Sequence, residues 1–135
     1  MGDLSPHFSK SELCCKDCGR CIIAKDLVDA LEELRALGPE PIEVHDGYRC
    51  PEHNASVGGV KNSQHLEGKA ADIEIRGLTL QQQYDRAMQI PAFRNGGIGV
   101  YDSGFIHVDV RNEEARWARV RGKYVGLTEL VTIAT

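Results

Sequence analysis

Two histidines and one aspartate have types and spacing suited to chemistry. His65 and Asp72 fall in Ser63-Gln64-His65-Leu66-Glu67-Gly68-Lys69-Ala70-Ala71-Asp72, and His107 lies far downstream in the apolar run Phe105-Ile106-His107-Val108-Asp109. Imidazole nitrogens and a carboxylate oxygen suit Zn²⁺, and three protein ligands leave the fourth tetrahedral position open to water. That is the layout of a catalytic metal rather than a structural one. Gly68, Ala70 and Ala71 let the backbone between His65 and Asp72 pass close to a neighbouring element.

Such a site needs rigid elements on either side. Ser9 followed by Glu12 is a capping-box signature for a short helix over residues 8–13. Over residues 26–37, Leu27, Leu31 and Leu34 recur at helical spacing with Val28 and Ala30, while Asp29, Glu32, Glu33 and Arg35 fill the opposite face; Gly38-Pro39 ends the helix. Residues 41–45 alternate as a strand that feeds Gly47-Tyr48-Arg49, and Cys50-Pro51 opens a short helix in which His53 is a bystander. Residues 69–75 read as a strand with Ala71, Ile73 and Ile75 on one face and Asp72 and Glu74 on the other. Thr79 caps a helix over 79–90 whose buried stripe is Leu80, Tyr84, Ala87 and Met88.

Residues 96–101 and 105–110 pair as a hairpin across Asp102-Ser103-Gly104, with Phe105, His107 and Asp109 on one face. A histidine in such a strand is ordinarily a core or cross-strand residue; Asp109, facing the same way, supplies the partner that a ligand imidazole or a bound water uses. Residues 111–135 contain Trp117 and a final apolar stretch, 124–133, read as a closing strand or short helix without chemistry. The element order predicts one α+β domain over residues 1–135, with a small antiparallel sheet and helices packed on one side. Residues 1–24 form its cysteine-containing N-terminal segment and residues 25–120 its core.

The motifs Gly47-Tyr48-Arg49, Val57-Gly58-Gly59, Ser63-Gln64-His65, Gly68-Lys69-Ala70-Ala71-Asp72-Ile73 and Phe105-Ile106-His107-Val108-Asp109 keep a fixed order, and over about residues 8–117 the chain resembles the M15 zinc peptidases. That family includes D-Ala-D-Ala carboxypeptidases and related peptidoglycan-cleaving enzymes. The resemblance implies the D-Ala-D-Ala carboxypeptidase/hedgehog-like fold and zinc ligands at His65, Asp72 and His107. It also implies an arginine, Arg49, that binds substrate or the transition state, with Ser63 and Gln64 lining the cleft. The implied reaction is zinc-dependent hydrolysis of a peptide bond in peptidoglycan stem peptides, by a carboxypeptidase or an endopeptidase, since both would use one site.

Two positions depart from the family's pattern. Asp46 stands where a serine usually precedes Gly-Tyr-Arg, which sets a carboxylate beside Arg49 and weakens its pull on an anionic substrate. Gly104 stands three positions before His107, where the best-described members carry an acidic residue. The proton-accepting role then falls to Asp109 or Asp102, with Asp109 favoured because it shares a face with His107. A zinc-containing cell-wall-binding or virion-structural module without catalysis is the alternative reading.

Cys14, Cys15, Cys18 and Cys21 cluster near the start, and Cys50 stands apart. The spacing fits a structural metal, one or two disulfides, or reduced thiols, and five cysteines cannot all pair within one chain.

Net charge of −4 with a pI near 5.7 argues against a nucleic-acid or anionic-membrane partner held by bulk electrostatics. No apolar run reaches the length of a membrane span. Residues 1–6 lack the pattern of a secretory signal, so the expected location is cytoplasmic as synthesised, with a phage- or prophage-encoded enzyme as one route to a cell-wall substrate. Oligomeric state is not legible.

Overall fold

The computed structural model describes residues 4–15, 20–56, 63–121 and 123–125. Alternation of apolar and polar side chains builds one six-stranded sheet with two unlike faces. Its strands are β1 (Ile42–Asp46), β2 (Ala70–Ile75), β3 (Gly97–Tyr101), β4 (Phe105–Asp109), β5 (Ala115–Val120) and β6 (Lys123–Val125), in the spatial order β1-β2-β4-β3-β5-β6. The β3–β4 hairpin turns through Gly104, in the left-handed region at φ 117°, and its partner across the sheet is β2.

One face of the sheet is the core. Ile73, Ile75, Ile98, Val100, Ile106 and Val108 are all at most 2% exposed and join one cluster with Leu27, Leu31 and Leu34 of α2 (Lys25–Arg35). Ala87 of α4 (Leu80–Met88) and Phe93 of α5 (Pro91–Arg94) complete it, so the helices pack on one side as expected. The caps read from sequence are in place: Thr79 accepts from the Gln82 backbone N–H at 3.1 Å, and the Ser9 N–H donates to Glu12 Oε1 at 2.8 Å before α1 (Lys10–Leu13). A further short helix, α3 (Pro51–Ser56), follows Arg49 directly.

The opposite face carries Asp72, His107, Tyr101, Phe105 and Trp117, and the segment holding His65 packs over it. Gly68 is what lets that segment sit so close. It lies at φ +70°, and a Cβ there would stand 1.9 Å from the Ile22 carbonyl oxygen, while its own carbonyl accepts from Ala24 N–H at 2.9 Å.

The C-terminal part departs most from the sequence reading. After β4 the chain returns to run parallel to β3, pairing Gly99 with Trp117, so the sheet holds one parallel pair among antiparallel ones. β6 begins near the expected closing element, and residues 126–133 of that stretch lie outside the described residues. The sequence reading gives the segment holding Trp117 no chemistry. Its indole instead crosses Gly99 to reach His107, with ring centroids 5.0 Å apart. No helix among the described residues is long and apolar enough to cross a membrane.

Two outcomes follow from this packing. A Cβ on Gly99 would meet the Trp117 indole at 2.3 Å. Gly99→Ala is therefore expected to destabilise the fold by about 1–3 kcal/mol through overpacking and to shift the emission of Trp117, the single tryptophan; unchanged emission with unchanged stability would contradict it. Tyr101 accepts from the Trp117 indole N–H at 3.1 Å, and burial foremost pushes its phenol up to about 12. Its folded value thus lies above the unfolded one, so its contribution to stability holds below pH 10 and is lost as the pH rises towards about 12. Phenolate absorbance should show one late-ionising tyrosine, and Tyr101→Phe should abolish that late transition; a wild-type titration with no late step would count against it.

Candidate metal centre

His65, Asp72 and His107 meet at one point on the polar face of the sheet. Their potential ligand atoms all lie within 4.8 Å of one another, and all three side chains are buried. Asp72 Oδ1 is 3.2 Å from His65 Nε2 and 3.1 Å from His107 Nδ1. Tetrahedral donors around zinc at roughly 2.0–2.1 Å stand about 3.3 Å apart, close to the separations of Asp72 Oδ1 from the two imidazole nitrogens.

Each imidazole is fixed through its other nitrogen. His65 occupies a one-turn 3-10 helix, Gln64–Glu67, and its Nδ1 lies 2.7 Å from the Gly47 carbonyl oxygen. A carbonyl can only accept, so Nδ1 carries a proton, and Nε2 is the nitrogen that faces Asp72. His107 Nε2 lies 2.7 Å from Asp109 Oδ2, which leaves Nδ1 as the nitrogen facing Asp72.

Burial alone would raise the Asp72 pKa. The charge of His65 and hydrogen bonds from His107 and His65 outweigh it and hold the carboxyl well below the usual range. Burial likewise opposes charge on His107, but bonds to Asp109 and Asp72 raise its pKa. A divalent cation held among these groups would add positive charge beside the ionised Asp72.

Asp109, favoured from sequence as the proton acceptor, meets the Nε2 side of His107, while Asp72 meets its Nδ1 side. It is fully buried, and both oxygens are engaged. Oδ1 accepts from Gly97 N–H at 2.9 Å, Arg111 N–H at 3.2 Å and Arg111 Nε at 2.9 Å; Oδ2 meets His107 Nε2 and, at 2.7 Å, Arg111 Nη2. Burial pushes its pKa up, yet His107 and Arg111 together hold it well below the ordinary range. This is the geometry of a group that orients His107 from behind, on the side away from Asp72. Asp102, the other carboxylate considered for that role, is exposed in the β3–β4 turn and accepts from Arg121 N–H at 2.9 Å.

Arg49 reaches the site from the loop after β1. Its Nε donates to Asp46 Oδ2 at 2.6 Å, Nη1 to Asn54 Oδ1 at 2.9 Å and Nη2 to Asp72 Oδ2 at 3.4 Å. The hydroxyl of Ser63 accepts from His65 N–H at 3.1 Å and so caps the 3-10 turn, while Gln64 is half-buried beside it. Trp117, with the Arg111 guanidinium 5.4 Å from its ring centroid, walls the site behind His107. Sequence reasoning missed both residues, and the only signal was a basic, tryptophan-bearing segment directly after the histidine strand.

Of the readings left open for the cysteines, the disulfide is what Cys14 and Cys21 adopt. Cys15 and Cys50 are buried with sulfurs 3.5 Å apart, and Cys18 lies outside the described residues, as do Val57-Gly58-Gly59 and the side chain of His53. A second group with ligand-like spacing, Glu43, His45 and Glu74, is far more exposed, and Arg76 already ion-pairs with both of its glutamates.

Comparison with known proteins agrees with this geometry. Residues 6–109 match the family model described as Peptidase M15. The probable peptidoglycan L,D-endopeptidase MepK of Haemophilus influenzae is 46% identical over 74 residues, covering 50% of this chain and 38% of that protein. The peptidoglycan L,D-endopeptidase MepK of Escherichia coli K12 is 34% identical over 91 residues, covering 62% and 48%. The zinc D-Ala-D-Ala carboxypeptidase of Streptomyces albus G is 47% identical over 44 residues, 32% of this chain and 17% of that protein. The chain thus spans less than half the length of these relatives. With the family model covering most of its residues and the motif histidines and aspartate gathered at one point, the chain belongs to the peptidase M15 family.

Proposed function

We propose that this chain is a zinc-dependent peptidase acting on peptide bonds in peptidoglycan stem peptides. The observation that carries the reading is the convergence of His65 Nε2, Asp72 Oδ1 and His107 Nδ1, with each imidazole's second nitrogen already tied to a partner. The printed names of the relatives, peptidoglycan endopeptidases and a zinc carboxypeptidase, support the substrate class and the metal.

When bound, zinc would lower the pKa of a coordinated water and polarise the scissile carbonyl. His65, Asp72 and His107 would hold the ion. Asp109, clamped by Arg111, keeps His107 turned towards it. Arg49 is the donor for charge developing on the carbonyl oxygen: its Nη2 bond to Asp72 is long at 3.4 Å and readily given up, while Asp46 and Asn54 hold the rest of the guanidinium in place. Ser63 and Gln64, next to His65 in the chain, are assigned to substrate contact.

A second reading, a zinc-bearing wall-binding module without turnover, draws on one observation. Gly104 occupies the place of the family's acid, and both oxygens of Asp109 are already engaged by His107, Arg111 and the Gly97 N–H. Digestion of purified peptidoglycan separates the two. Zinc-loaded protein is expected to release peptides identifiable by mass, chelation to stop the release and added zinc to restore it. Binding to the wall without any cleavage would favour the module, and cleavage that persists after complete chelation would refute the zinc mechanism.

The supporting residues have their own expected costs. Asp109→Asn should weaken zinc affinity or activity by about 10–100-fold, and Arg49→Lys should lower kcat by about 10²–10³-fold while leaving zinc stoichiometry intact. Chelator-competition titrations alongside turnover measure both; full zinc affinity in Asp109→Asn would show that the carboxylate does not orient His107.

A further inference from the structure

Asp46 owes its position to an irregularity in β1. Val44 pairs with Ile73 on the core side, and in a regular strand Asp46 would share that face. A bulge between Val44 and Asp46 instead sets Asp46 opposite Asp72, on the side of the metal centre. There its Oδ2 accepts a hydrogen bond from Arg49 Nε–H at 2.6 Å, and its Oδ1 accepts from Gly47 N–H at 3.1 Å, which locks the carboxylate in place. The Asp46 and Arg49 side chains are only 17% and 12% exposed, so solvent screens the pair weakly.

The consequence is electrostatic. Arg49 is shared by two carboxylates, Asp46 and Asp72. Once Asp72 binds a divalent ion, Asp46 still neutralises the guanidinium. A neutral amide carbonyl can take a hydrogen bond from a neutralised arginine. A substrate's terminal carboxylate would have to approach the same arginine against the fixed negative charge of Asp46. On the peptidase reading above, we infer that Asp46 is a specificity-determining residue: it turns Arg49 from a carboxylate clamp into a carbonyl donor, and so directs the site to bonds inside a peptide rather than to removal of a C-terminal residue.

The test uses two synthetic stem peptides with the same scissile bond. In one, the residue after that bond ends in a free α-carboxylate; in the other, that carboxylate is amidated. Wild-type protein should favour the amidated peptide in kcat/KM. Asp46→Asn, and Asp46→Ser as a smaller neutral variant, should shift the ratio towards the free carboxylate by about tenfold, the scale for removing one partly screened charge beside the ligand. A parallel calorimetric comparison of the carboxylate and amide forms of the product peptide needs no turnover, and the same shift is expected in the ratio of their dissociation constants. If Asp46→Asn and Asp46→Ser change both peptides alike, or leave both ratios unmoved, the inference is wrong even where cleavage is robust. If no peptide is cut at all, the peptidase reading fails, and the binding ratio still decides the role of Asp46.

Discussion

One buried carboxylate organises this molecule's polar half. Asp72 takes His65 and His107 on one oxygen and Arg49 on the other, from three segments distant in sequence. A lone charge so buried would cost several kcal/mol; here the surrounding positive groups more than offset that cost and keep Asp72 ionised. Every neighbouring feature can be read as support for that junction. The left-handed turn at Gly68 brings in His65, the β2–β4 pairing brings in His107 directly opposite Asp72, and the bulge in β1 brings in Asp46 to steady Arg49.

Support continues outward from the histidines. Behind His107 stand Asp109, then Arg111, then the face of Trp117, each touching the next. Behind His65 stands a backbone carbonyl, a partner that cannot titrate. The two imidazoles are thus oriented by different means, one by a charged chain and the other by the main chain. Rigid orientation of ligand rings before the ion arrives is what makes a three-ligand site with an open position practicable.

Much of this was legible in the sequence because strands alternate. Once 69–75 and 105–110 are read as strands, Asp72 and His107 have to face away from Ile73 and Ile106, and the family resemblance implies His65 as their partner. Bulges leave no such trace. Regular alternation would have turned Asp46 into the core, and only the observed pairing with Asp72 reveals that the chain gains a residue there. The role of Trp117 was hidden for a related reason: β5 pairs in parallel with β3, and that contact depends on a crossover, not on local pattern. Asp109 was correctly put on the face of His107, but which of its lone pairs remain open depends on Arg111 and Gly97 closing around it, a three-body packing fact beyond the reach of spacing.

Besides His65, Asp72 and His107, the chain has other ligand-like groups, the cysteines and Glu43, His45 and Glu74. X-ray anomalous scattering from crystals of the zinc-loaded protein distinguishes them directly. The expected result is one fully occupied ion bonded to His65 Nε2, an Asp72 oxygen and His107 Nδ1, with its remaining position turned towards Arg49. Zinc found instead among the cysteines or at Glu43, His45 and Glu74, with His65, Asp72 and His107 still bonded only to one another, would contradict the central claim.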